Sequence, residues 1–182
     1  MAALAAVVGL LVIAPAAMAA LENENLLTPL PRGFKIGSHS QQGRMVMAEY
    51  VPTAETVDNW SRLITVQTFH GLSAVDPNGV PANMARGWEG ACSSGTAIKV
   101  TAAVENGYRV SIWQFLCPIN PATHRPENMW LKSISGHDSL YIVQYAYRRI
   151  LTNDLIGPAM GYLRKIMVCD TRRPDRPCPK GM

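Results

Sequence analysis

Four cysteines, four histidines and a run of arginines near the C-terminus are the residues of this 182-residue chain with most chemistry to offer. Cys92, Cys117, Cys169 and Cys178 form no CxxC pair and no HxxxH accompanies them, so the spacing does not suit zinc and no metal is expected. An even cysteine count in an exported chain points instead to two disulfides. Of the three pairings, Cys92 with Cys117 and Cys169 with Cys178 is favoured. The second pair brackets a turn-rich stretch, Asp170 to Pro177, that cannot hold itself in place, and the first would tie a helix to a strand. His39, His70, His124 and His137 stand apart, at expected turns or strand ends. Gly136-His137-Asp138-Ser139 sets three hydrolase-type side chains in sequence, but neighbours in a hairpin turn point in different directions, and the run reads as turn chemistry. Met45 and Met47 share a strand face; two thioethers are too few for copper(I), and packing is the preferred reading. No Gly-rich phosphate loop, nucleophile elbow or HExxH is present, and no cofactor is expected.

The arginine run carries the charge of the molecule. The net charge is +4, and from Tyr162 onward six basic residues (Arg164, Lys165, Arg172, Arg173, Arg176, Lys180) face only Asp170 and Asp175, so the whole excess lies there. Two readings follow: a solvated, disulfide-pinned tail, or a patch in which Arg172, Arg173, Arg176 and Lys180 meet an anionic partner such as a phospholipid surface or an acidic protein. Nucleic acid is not expected, because no aromatics are interleaved with these arginines for bases to stack on. At the other end, residues 3–14 form an uncharged apolar run that stops at Pro15 and is followed by Ala17-Met18-Ala19. The run is too short to span a bilayer and has the pattern of an export signal cleaved after Ala19, although the terminal amine is the only positive charge ahead of it.

The elements that must position these residues follow from periodicity. Residues 20–33, with Pro29 and Pro31, read as an extended, weakly ordered lead-in. Residues 44–51 and 63–69 alternate as strands, with Trp60 carried into the core between them. After the Asp76-Pro-Asn-Gly turn, Pro81 opens a helix to about Cys92 whose inward stripe is Met84, Trp88 and Cys92, with Gly87 and Gly90 expected to let the sheet approach closely. Residues 97–104 and 108–117 form a hairpin turned by Glu105-Asn106-Gly107. A second hairpin joins 129–134 to 140–148, and the last strand has both faces apolar, Tyr141, Val143, Tyr145 and Tyr147 on one, so it is expected to be central and covered on each side. A final amphipathic helix spans 155–168. The expected fold is α+β: a mostly antiparallel sheet of about six strands packed by two helices, in the order ββαββββα, with a signal peptide at 1–19, a single domain over 34–168 and a basic, disulfide-pinned tail over 169–182.

The stretch from Glu49 to Ser61 with its continuation Ile64 to Phe69, and the later stretch from Ser135 to Arg148, resemble a recurring pattern in small exported proteins of proteobacteria with no assigned activity. The order of elements is similar to the fold of DcrB-like periplasmic proteins and PsbP-like proteins of photosynthetic membranes. That resemblance implies a binding or assembly factor rather than an enzyme. The resulting expectation is a periplasmic or secreted, non-enzymatic protein that binds a protein or envelope component. Two alternatives stay open: a hydrolase-type enzyme assembled from dispersed residues such as Glu49, His70 and His137, or a secreted factor acting on other cells.

Overall fold

The computed structural model describes residues 21–179; the expected export segment and Lys180 lie outside them. Nine strands and two helices run in the order β1 (Glu24–Leu27), β2 (Phe34–Gln42), β3 (Met45–Pro52), β4 (Arg62–His70), α1 (Gly79–Ala91), β5 (Thr96–Glu105), β6 (Tyr108–Asn120), β7 (Arg125–Ser135), β8 (Ser139–Tyr147), α2 (Asn153–Leu163) and β9 (Met167–Asp170). Seven strands form one antiparallel sheet in the order β2-β3-β4-β8-β7-β6-β5, and β1 pairs with β9 in a separate ribbon. The α+β class stands, with more strands than the sequence suggested.

β8 is the central strand, and each of its faces meets a core. Tyr141, Val143, Tyr145 and Tyr147 pack with Ile64, Trp130, Ile134 and the inward residues of α2, namely Leu155, Ala159, Tyr162 and Leu163. On the opposite face Ile142 and Ala146 join Phe115, Met129, Leu131 and Trp60, covered by Ala85, Met84 and Trp88 of α1. Both disulfides are formed. Cys92, just past α1, is bonded to Cys117 in β6, and Cys169 in β9 to Cys178.

Four features differ from the sequence reading. β2 lacks clean alternation, yet pairs with β3 through a tight turn at Gly43, whose φ of +57° suits glycine. The lead-in contains β1, which finds its partner in β9 at the far end of the chain. The final helix ends at Leu163 instead of 168. The buried Lys132 ammonium donates to the carbonyls of Leu163 (3.0 Å) and Ile166 (2.8 Å), a cation placed at the negative end of the helix. Gly87 and Gly90 are not close contacts: nothing lies within 4 Å of where a Cβ would stand.

Candidate functional site

The tail arginines are built into the fold. Arg172 forms a fork on buried Asp170, with Nε 2.9 Å from Oδ1 and an Nη 2.7 Å from Oδ2, and the same Nη donates to Asp138 at 2.6 Å. These bonds from Arg172 hold the Asp170 carboxyl at about 2. Asp138 is also held below the ordinary carboxylate range, by the His137 imidazole 3.0 Å away and then by Arg172. Arg173 and Arg176 both reach Asp175, and the Arg176 guanidinium stacks 4.5 Å over the buried Tyr108 ring. Aspartates therefore engage much of the charge that the sequence shows as a basic run.

Beside this network sits a carboxylate with no signal in the sequence. Glu24 of β1 accepts hydrogen bonds from the backbone N–H groups of His137, Asp138 (3.0 Å) and Ser139 (3.2 Å) and from the Tyr141 hydroxyl (2.9 Å). The Gly136-His137-Asp138-Ser139 turn is thus a backbone nest for an internal anion. Gly136 is required there, because a Cβ would strike the Glu24 carboxylate and the Ser139 carbonyl oxygen at 2.8 Å.

The dispersed enzyme candidates are only partly assembled. His70 Nδ1 lies 3.3 Å from the Ser139 hydroxyl, and His137 belongs to the same end of the sheet. Glu49 pairs with Thr65, five residues back along β4 from His70, roughly 17 Å away at the rise of a strand. Among the described residues no group of three or more His, Cys, Asp or Glu could hold a metal. Met45 and Met47 flank the Gln67 amide, at 4.0 and 3.8 Å.

A groove runs along α2 beside the core. Two adjoining cavities of about 330 and 410 Å³ share Tyr145 and Pro158. One end is lined by Arg62, Tyr147, Arg149 and Asp154, the other by Pro29, Leu30, Pro31, Tyr162 and Lys165. The floor is a tyrosine cluster: Tyr145 lies 4.9 Å from Tyr147 and 5.2 Å, edge-on, from Tyr162 between ring centroids. Burial raises the hydroxyls of Tyr147 and Tyr162 above the ordinary phenol range, so both stay neutral hydrogen-bonding groups. At the rim, Arg62 lies 5.0 Å over the Phe34 ring, and exposed Arg149 stands 4.0 Å from Asp154. Such a lining binds by area, neutral polar tips and peripheral charge, and offers no activated nucleophile. The sequence shows the tyrosine stripe of β8, read there as a covered face; Arg62, Arg149 and Lys132 carry no mark in it.

No protein-family model matches the chain, and a search of curated proteins returns no match. Solved structures do match. The solution structure of the cyanobacterial PsbP protein CyanoP from Synechocystis superimposes with a TM-score of 0.52 at 7% identity, covering 82% of this chain and 94% of that one. The Ran-binding protein Mog1p of Saccharomyces cerevisiae follows at 0.43 and 12% identity, covering 83% and 98%. LpqN of Mycobacterium tuberculosis, described as involved in cell envelope biogenesis, gives 0.40 and 10% identity, covering 81% and 83%. The first of these shows that this chain has a PsbP-like fold.

Proposed function

We propose that this protein is an exported, non-enzymatic binding protein working in an oxidising compartment, and that the tyrosine-lined groove along α2 is its ligand surface. The groove carries the reading: it is the place where aromatic area, neutral hydroxyls and flanking cations converge. Two disulfides fit an oxidising compartment, and among the described residues no helix is long and apolar enough to cross a membrane. The likeness to small exported proteobacterial proteins supports the same assignment, with a protein or envelope component as the partner. So does the PsbP-like fold, although fold alone does not transmit function.

Gly161 lines the groove and has open space at its Cβ position, so Gly161→Trp fills the groove without displacing the fold. Gly87→Trp on α1 is the matched control on the opposite side of the sheet. Cross-linking in the envelope followed by mass spectrometry should recover a partner with the wild type and the Gly87 variant, and lose it with the Gly161 variant. Equal recovery from all three would remove the groove from the account. Weak adhesion of the tail to anionic surfaces is a secondary property of this proposal. It draws on the charge of Arg172, Arg173, Arg176 and Lys180 that the aspartates leave uncancelled, and it should fade between 0.01 M and physiological salt in vesicle sedimentation.

A further inference from the structure

β5 closes one side of the main sheet, and among the described residues no strand lies against its outer edge. Its ten residues contain no proline and two charged residues, Lys99 and Glu105. Ile98, Val100 and Val104 are 53, 45 and 67% exposed, three of the nine large hydrophobic residues exposed among those described. The opposite edge is built differently. β2 carries Lys35, His39, Gln41 and Gln42 and exposes Ile36 alone among large apolar residues. Polar edges resist strand addition, whereas a long apolar edge with free backbone groups invites it.

We propose that β5 pairs with β5 of a second copy of this chain, antiparallel, about a two-fold axis through Ala102. Residues 99–105, Lys-Val-Thr-Ala-Ala-Val-Glu, are self-complementary about that point. The axis sets Val100 opposite Val104 twice, Thr101 opposite Ala103 twice, and Lys99 opposite Glu105 at each end. Neighbouring registers lose these matches. An axis at Ala103 runs Lys99 past the strand to Gly107, and one at Thr101 sets both charges opposite alanines, Lys99 on Ala103 and Glu105 on Ala97. Glu105 is partly exposed at the strand end, where its Oε2 also holds the buried Lys132 ammonium at 2.5 Å. Val100 is the extra residue of a bulge against β6, which increases twist and keeps the new ladder short, so association is concentration-dependent. The contact is isologous and closes at two copies, since β2 offers no equivalent edge.

The test uses the full chain. Sedimentation velocity over a concentration series should show a monomer–dimer equilibrium. Ala102→Cys should give an inter-chain disulfide on oxidation, because the axis brings that residue against its own copy, and Ala103→Cys should link several-fold less. Lys99→Glu sets like charges opposite each other at both ends and should weaken dimerisation by about tenfold. Val104→Lys, at a position two-thirds exposed, should abolish it, with mapping of the two native bridges confirming that each variant is folded. A wild type that stays monomeric at every concentration, or one that instead takes up a foreign strand peptide, overturns the proposal. So does a dimer that survives Val104→Lys and links equally through positions 102 and 103.

Discussion

At the scale of single residues, carboxylates do the joining. Glu24 collects three backbone N–H groups and a phenol, and Asp170 takes the Arg172 fork, so the first and last strands are both tied to the β7–β8 turn. Glu24→Ala leaves those donors unpaired and should cost roughly 2–3 kcal/mol in denaturant unfolding, since hydrogen bonds to a charged group are the strong ones. Gly136→Ala should mimic it by driving the turn away from the carboxylate. Asp170 also sets a pH window. Its folded value, about 2, lies below the ordinary value of 3.8, so its contribution is complete above about pH 4 and lost as pH falls through about 2. Hydrogen exchange of the β1–β9 ribbon should loosen over that window, and Arg172→Gln should move the onset to higher pH. Exchange that stays flat from pH 5 to 2 would separate the ribbon from Asp170.

At the scale of elements, α1 shows a helix held by packing rather than propensity. Met84, Trp88 and Ala85 seat it on the sheet, while Gly87 and Gly90 face open solvent. Gly87→Ala and Gly90→Ala should therefore each stabilise the protein by about 0.5–1 kcal/mol in thermal or denaturant unfolding. A loss of stability would mean that the backbone there is a close contact after all. Local pattern shows clearly in this sequence: the alternation of β5, β6 and β8, the Asn106-Gly107 turn and the stripe of α1 are all legible in it. Pairings between distant segments are not. Nothing in Glu24–Leu27 or Met167–Asp170 marks two short strands as partners, because four residues carry too little periodicity and their register is set by each other. The early end of α2 is hidden for a similar reason, since the carbonyls of Leu163 and Ile166 are held by Lys132, which lies more than thirty positions away in sequence on β7.

At the scale of the molecule, a central tyrosine-rich strand is covered by α1 on one face and by α2 on the other, and α2 leaves an aromatic groove open beside it. The stripe of β8 was readable from the sequence, but the groove was not: it needs Pro29 to Pro31 from the lead-in, Arg62 from β4 and Arg149 from the loop before α2, brought together only by the fold. The most direct test of the groove as a binding surface is site-specific photo-cross-linking in living cells, with a benzophenone side chain at position 161 in the groove or at position 87 on α1. A discrete adduct from position 161, absent from position 87 and competed by unlabelled wild-type protein, is the predicted result. No adduct at 161, or the same adducts from both positions, would contradict the assignment.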